Sequence, residues 1–216
     1  MLTGATGIFL FLFVLAHMLG NLQIFLGPNW LNGYAEHLKN LPLLLWPARV
    51  FLLAALAVHM SLALSLAVEN RNARPVPYLS KNTVQASPAS RAMVVSGIII
   101  FLFIVYHLLH FTFGVTNHSF FNQTDAQGRH DVYSMVVLSY QNILISGVYI
   151  FVMGALCMHL GHGLPGFFQS LGLANDKTSP KIRMTGQVLA WTIFLGNSSI
   201  PAAVLLGFIK LPGKGV

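Results

Sequence analysis

Four histidines are the side chains of this sequence best suited to chemistry, because each lies in a different long apolar segment. An imidazole is costly in hydrocarbon unless its lone pair is used, so one histidine in each of four successive apolar segments indicates a set of ligands. Two bis-histidine b-type haems need four imidazoles, and four helices packed as a bundle supply one each. We therefore predict two haem b groups whose iron is bound by His17, His59, His107 and His159.

The composition assigns the chain to a membrane. Of its 216 residues, 55% are hydrophobic and only 8% are charged, which leaves too few polar side chains to cover a soluble globule of this size. We therefore predict a single integral membrane domain over residues 1–216. The one cysteine, Cys157, excludes an internal disulfide bond and a Cys-x-x-Cys-His attachment motif, so a haem here is held by ligation and packing alone.

Five segments are long enough to cross a bilayer as helices. They cover residues of about 2–26, 43–69, 92–115, 135–163 and 185–209. The first lacks the basic start and the clear cleavage site of a secretory signal, so we expect it to be a retained helix. The predicted fold is an all-α transmembrane five-helix bundle in which four helices enclose two stacked b haems.

The connections between these segments differ in charge. Basic residues concentrate in connections 69–91 and 164–184, whereas connections 27–42 and 116–134 balance basic with acidic residues. Because positively charged loops stay on the cytoplasmic side, we expect a cytoplasmic N-terminus and a C-terminus on the outside. The basic residues of the two positive connections are Arg71, Arg74, Lys81, Arg91, Lys177, Lys181 and Arg183.

This orientation converts the histidine positions into depths. The first and third helices ascend, and His17 lies roughly 20 Å above the start of its helix at 1.5 Å per residue. His107 is about as far along, so both lie in the outer half. The second and fourth helices descend, which brings His59 and His159 toward the cytoplasmic side. Depth therefore pairs His17 with His107 and His59 with His159.

Several neighbouring side chains have alternative or supporting roles. His110 lies one turn from His107 on the same helix face and is the alternative ligand. His110 and His162 each follow a preferred ligand by three residues, which suits a haem propionate partner or a helix-end hydrogen bond. Arg49, just inside the second helix, has the permanently charged bidentate group that suits a propionate.

Four stretches of the sequence resemble a known family. They are LFLFVLAHMLGNLQIFLG, LAVHMSLALSLAVENR, IFLFIVYHLLHF and MGALCMHLGHGLPGFFQSLG. Together they resemble the single-chain, five-helix, dihaem cytochrome b subunit of succinate:quinone oxidoreductases, the succinate dehydrogenase and fumarate reductase group. The resemblance implies that His17 and His107 bind the distal haem, and that His59 and His159 bind the proximal haem beside an iron–sulfur subunit.

The resemblance also implies a role and partners. The chain is expected to be the membrane subunit of this enzyme, without flavin of its own, passing electrons between the iron–sulfur subunit and membrane quinone. A flavoprotein subunit and the iron–sulfur subunit are expected on the cytoplasmic side of a bacterial inner membrane. The family further suggests menaquinone as the quinone and allows a higher oligomer of the complex.

A quinone that gains or loses two electrons also exchanges two protons, so its site needs a titratable group near water and a haem. The first outer loop, with Trp30 suited to the membrane interface, carries one carboxylate, Glu36. We expect Glu36 to donate or accept the proton with His37 beside it. The alternative is an ordinary solvated charge pair.

Other functions fit the sequence less well. The net charge of +7 lies in loops beside the apolar segments, which favours lipid headgroups, propionates and cytoplasmic subunits over nucleic acid as partners. One alternative is the quinone-reactive cytochrome b of a hydrogenase or formate dehydrogenase, in which two ligands often share one helix. The other is a transporter that uses the histidines for metal ions or protons.

Overall fold

The computed structural model describes residues 2–73 and 91–211 of the chain, and these are helical with no strand among them. Five of the helices in this part are long and apolar enough to cross a membrane, which confirms the prediction of a five-span all-helical protein. Their spans are Leu2–Leu26, Pro42–Asn72, Met93–Thr112, Ile143–Ser170 and Ser179–Leu205. Arg74 and Lys81 of the first basic connection lie outside the described residues.

Eight helices can be numbered in chain order, and two of them continue into a turn of different pitch. They are α1 (Leu2–Asn21, continued by a 3₁₀ turn Leu22–Leu26), α2 (Pro28–Lys39), α3 (Pro42–Asn72), α4 (Met93–His107, continued by a π-helical turn Leu108–Thr112), α5 (His118–Phe121), α6 (Val132–Tyr140), α7 (Ile143–Ser170) and α8 (Ser179–Leu205).

The fourth and fifth spans begin and end elsewhere than the hydropathy pattern predicts. The fourth begins at Ile143 because the Asn142 side chain accepts hydrogen bonds from the backbone N–H groups of Leu144 and Ile145. The fifth begins at Ser179, with Pro180 in its first turn. Proline is favoured there because the first N–H groups of a helix have no partner within it. The apolar stretch before Ile143 forms the separate short helix α6.

Four of the long helices surround a common interior. Helix α1 packs against α3 and α7, and α4 packs against the same two helices, so α1 faces α4 and α3 faces α7 across the diagonals. Neighbouring helices run antiparallel. Helix α8 lies outside this group, packed most closely against α7 and also against α1.

The buried apolar core forms two clusters. One, which includes Phe11, Leu160 and Ile193, joins α1, α7 and α8. The other, which includes Val137 and Ile200, joins α6, α7 and α8 at the end of the bundle where α2 lies. By contrast, Ala55 is the one buried residue described on the 31-residue helix α3. Helix α3 is therefore covered by protein far less than α7, which has nine buried residues.

Candidate cofactor site

His17 and His107 lie opposite each other near the ends of α1 and α4. Their ring centroids are 5.8 Å apart and their ring planes are nearly perpendicular. Because α1 and α4 face each other across a diagonal, this pair lies in the interior of the bundle. We call the end of the bundle where α1 begins the lower end and the other the upper end, so the pair lies toward the upper end.

His59 and His159 form the second pair, across the other diagonal. Their ring centroids are 6.5 Å apart. His59 contacts the first two turns of α1, and His159 contacts the first turn of α4, so this pair lies toward the lower end. Gly7 lies beside His59, and His17 follows ten residues later on the same helix, which separates the two levels by about 15 Å.

The separation within each pair fits two imidazoles on one iron. An imidazole nitrogen binds a metal at about 2 Å, and the ring centre lies about 1 Å further, so ring centres on opposite sides of a metal are about 6 Å apart. The observed separations of 5.8 and 6.5 Å lie on either side of this value. All four histidines are half-buried.

The ligand number fits haem better than a bare metal ion. Within residues 2–73 and 91–211, no group of three or more His, Cys, Asp or Glu side chains is placed to hold a metal ion. A structural zinc ion takes four protein ligands and a catalytic one takes three. Two axial imidazoles are the protein's full contribution to a bis-histidine haem, since the porphyrin supplies the other four nitrogens.

Hydrogen bonds at Nδ1 favour, in both histidines of the lower pair, the tautomer that a metal ligand needs. The Nδ1 atom of His59 is 3.1 Å from the carbonyl oxygen of Thr3, and that of His159 is 3.1 Å from Oγ of Ser96. Ser96 donates its own proton to the carbonyl of Met93, so its oxygen is free to accept. Both Nδ1 atoms therefore carry the proton, which leaves the Nε2 lone pair for a metal.

Close helix packing adds to this arrangement at Gly7. A Cβ atom at that position would lie 3.1 Å from Cε1 of His59, tighter than an ordinary contact. The small residue lets α1 approach the His59 ring while the ring keeps its hydrogen bond to Thr3. The sequence analysis identified none of Thr3, Gly7 or Ser96, although a serine at the start of an apolar helix is a visible signal.

Tyr149 separates the roles of His107 and His110. The hydroxyl oxygen of Tyr149 is 3.4 Å from Nδ1 of His107 and 3.0 Å from Nδ1 of His110. His110 is fully buried in the π-helical turn, with its ring against Tyr106 and Phe111. It is thus His107 that lies across from His17.

Two further predicted residues lie away from the histidine pairs. Arg49 is exposed on α3, with its guanidinium 5.2 Å from the ring centre of Trp46. Antiparallel packing of α1 and α3, with Gly7 against His59 and Phe9 against Phe51, puts Arg49 between the levels of Phe11 and His17 on α1. His162 is half-buried on α7, one turn beyond His159.

A shallow, open cleft of about 350 Å³ lies on the surface at the upper end beside α2. It is lined by Gln23, Asn29, Trp30, Gly33, Tyr34 and His37. The Tyr34 ring also packs on α1, where a Cβ atom at Gly20 would lie 2.7 Å from its hydroxyl oxygen. Gly20 is one turn beyond His17, so the cleft lies close to the upper histidine pair. Glu36 is exposed on α2 and is not among the lining residues.

A polar network anchors α2 to the connection before α6. Asn32, fully buried, donates to Asp125 and Asp131 and accepts from the backbone N–H of Tyr133. Asp125 also forms a 2.6 Å ion pair with Arg129. The hydrogen bond from Arg129 is the largest of the effects that lower the pKa of Asp125 to about 2.

Asp125 is therefore expected to stabilise the folded protein in a pH-dependent way. Its pKa in the folded state lies below the ordinary value of 3.8, so the contribution is complete above about pH 4 and is lost as the pH falls to about 2. In detergent at pH 7, Asp125→Asn should lower the Tm by roughly 2–4 °C.

Thermal unfolding followed by circular dichroism from pH 7 down to pH 2 checks this expectation. The matched control is Asp176→Asn, at an exposed aspartate with no ion pair among the described residues. The difference between wild type and Asp125→Asn should shrink below pH 4. An equal difference at every pH would contradict the assignment.

Comparison with known proteins gives no relative: no family model, no curated protein and no solved structure matches this chain.

Proposed function

We propose that this chain is the membrane-anchor cytochrome b subunit of a succinate:quinone oxidoreductase in a bacterial inner membrane. It binds two b haems and passes electrons between an iron–sulfur subunit and membrane quinone. One observation carries the proposal: four histidines on four helices form two pairs, each across a diagonal of the bundle, about 15 Å apart along it. That arrangement suits electron transfer from one membrane face to the other.

The chain's own residues hold and orient the cofactors in this proposal. Bound haem supplies reversible one-electron transfer. His59 and His159 present Nε2 because Thr3 and Ser96 accept the proton on Nδ1. His17 and His107 act as the second ligand pair, and Arg49, in the upper half of α3, offers a positive charge to a propionate. His162 remains a candidate propionate partner at the lower end.

The charge distribution supports the proposed orientation and partners. The described basic residues at the lower end of the bundle are Arg71, Arg91, Lys177, Lys181 and Arg183. The acidic residues there are only Glu69 and Asp176. A positive lower end on the cytoplasmic side faces anionic lipid headgroups and the soluble flavoprotein and iron–sulfur subunits. The His59–His159 pair then lies nearest the iron–sulfur subunit.

The quinone is proposed to bind at the upper end, in the cleft beside α2. A quinone ring, menaquinone in this proposal, is flat and apolar with two carbonyl acceptors. Trp30 and Tyr34 offer aromatic surface, and Gln23, Asn29 and His37 offer polar groups. Glu36, exposed one residue before His37, exchanges the protons with water. The proximity of the cleft to His17 through Gly20 keeps electron transfer short.

Glu36→Gln tests the proton-exchanging role in the assembled complex. The substitution keeps the shape of the side chain and removes its titratable charge. We expect two haems per chain and unchanged succinate oxidation with a soluble artificial acceptor. Turnover with quinone should be slower by about a hundredfold or more, the range that general acid–base catalysis contributes.

Glu69→Gln, which neutralises an exposed carboxylate at the lower end, is the matched control and should leave both activities unchanged. Unchanged quinone turnover in Glu36→Gln would remove Glu36 from the mechanism. The variant His37→Ala tests the cleft itself. If His37→Ala loses quinone turnover and Glu36→Gln does not, proton exchange is assigned to His37 and not to Glu36.

The other candidate functions give different results. A transporter for metal ions or protons contains no haem, so its purified preparation shows no Soret band. A cytochrome b of a hydrogenase or formate dehydrogenase shows the band but does not co-purify with a covalent or tightly bound flavin subunit that oxidises succinate. The spectrum and the succinate assay together separate the three.

A further inference from the structure

We propose that Tyr149 is a positioning residue for His107, and that His110 sets the direction in which the Tyr149 hydroxyl donates. This inference rests on the proposed haem ligation by His17 and His107. It concerns two residues, Tyr149 and His110, that bind no iron themselves and act through the proton on Nδ1 of His107.

The Tyr149 hydroxyl is held in one place by an aromatic cage. Tyr149 is 5% exposed, and its ring lies 4.8 Å from Phe103 and 5.1 Å from Tyr140, between ring centroids. Phe111 contacts it at 5.8 Å. With the ring fixed, the hydroxyl stays between the Nδ1 atoms of the two histidines, at 3.4 Å from His107 and 3.0 Å from His110.

Counting protons leaves two ways to make both hydrogen bonds. Each neutral imidazole has one N–H group, and the tyrosine hydroxyl has one proton to donate. In the first, His107 donates from Nδ1 to Tyr149, and Tyr149 donates to Nδ1 of His110. In the second, both bonds are reversed, and the proton of His107 lies on Nε2. Only the first leaves the Nε2 lone pair of His107 free to bind iron.

The first arrangement puts the His110 proton on Nε2, which is buried without a hydrogen-bond partner among the described residues. His110 therefore has to be a neutral acceptor toward Tyr149 for His107 to be a ligand. Within the described part of the chain, Nε2 of His110 lacks a partner in either arrangement, so this atom does not choose between them. Iron ligation by His107 requires the arrangement in which Nδ1 of His110 accepts the proton of Tyr149.

The lower pair needs no such arrangement. The carbonyl of Thr3 can only accept, and the hydroxyl of Ser96 already donates to the backbone, so both tautomers there are fixed by groups that do not titrate. His17 has no hydrogen bond among the described residues. Among the four proposed ligands, His107 alone depends on a side-chain hydroxyl whose direction a second histidine sets.

The hydrogen bond should tune the haem bound by His107. Donation from Nδ1–H raises the basicity of the ligating imidazole and favours the oxidised iron, so removing the acceptor should raise the midpoint potential. Tyr149→Phe keeps the ring in its cage and removes the hydroxyl. We expect the variant to keep two haems per chain. At the haem bound by His107, the equilibrium between oxidised and reduced iron should shift about tenfold toward the reduced form. For one electron this is a rise in midpoint potential of about 59 mV.

Tyr140→Phe is the matched control, because Tyr140 belongs to the same cage but its hydroxyl makes no hydrogen bond among the described residues. Potentiometric titration should show unchanged midpoint potentials in Tyr140→Phe. The midpoint potential of the haem bound by His59 and His159 should be unchanged in both Tyr140→Phe and Tyr149→Phe. An unshifted potential in Tyr149→Phe would overturn the inference, as would an equal shift of both haems.

His110→Leu keeps the inference testable if Tyr149→Phe fails to retain haem. It removes the acceptor of the Tyr149 proton and leaves the hydroxyl in place, so we expect a smaller positive shift of the same haem, since chained hydrogen bonds strengthen each other. An unshifted potential would overturn the role of His110. Absence of haem from the wild-type protein would instead overturn the proposed function.

Discussion

Purified His159→Ala protein is expected to contain one haem b per chain, against the two proposed for the wild type. Each iron in a bis-histidine site needs both imidazoles, and His159, 6.5 Å away between centroids, is the one histidine ring that contacts His59 in the described part of the chain. The same loss is expected for His59→Ala. Because electrons enter through this pair in the proposed path, quinone reduction by the complex should fall to background in both variants.

The haem content per chain, determined by the pyridine haemochrome assay and by reduced-minus-oxidised spectra, tests this expectation. Met158→Ala is the matched control, since Met158 precedes His159 on α7 and half of its side chain is exposed. That variant should keep both haems and full activity. Two haems per chain in His159→Ala would contradict the assignment of the lower pair.

His107→Ala and His110→Ala are expected to differ by one whole haem. His107 lies 5.8 Å from His17 between ring centroids, so its loss should remove the haem of the upper pair, as should His17→Ala. His110 lies behind Tyr149 and should be dispensable for ligation. His110→Ala protein should therefore keep two haems per chain, with the smaller shift in potential described above.

Optical spectra at graded potentials distinguish the two variants, because the remaining haem titrates as a single component in His107→Ala. The reverse result, loss of a haem in His110→Ala with two retained in His107→Ala, would make His110 the ligand. It would require the π-helical turn at Leu108–Thr112 to rewind so that His110 faced His17.

The spans follow from hydropathy, whereas their ends depend on local hydrogen bonds. The side chain of Asn142 caps the N-terminus of α7 and so sets where the helix begins. Mean hydropathy over a window of residues does not detect a single capping side chain. The upper connections, predicted as loops, contain the short helices α2 and α5, and most of α6 lies in residues predicted as the start of the fourth span. Helix α2 begins with Pro28 at its first turn and is held by the buried Asn32, a contact with residues about a hundred positions away.

The pairing of the histidines could be predicted from depth because helix rise is constant along a span. The residues around them could not, because their contacts depend on which way each helix is turned. Tyr149 and Ser96 meet His107 and His159 only through the particular rotation of α7 and α4. At the cleft, Trp30, Gly33, Tyr34 and His37 repeat at helical spacing and share one face of α2. Glu36 lies at the edge of this face, about 60° from Gly33, and is exposed.

The absorption spectrum of the purified wild-type chain tests the central claim most directly. A protein with two bis-histidine b haems should show a Soret band and sharp α-bands on reduction, with two haems per chain by pyridine haemochrome and low-spin signals in electron paramagnetic resonance. The contradicting result is a missing Soret band in protein that was expressed with an adequate supply of haem and is folded in detergent.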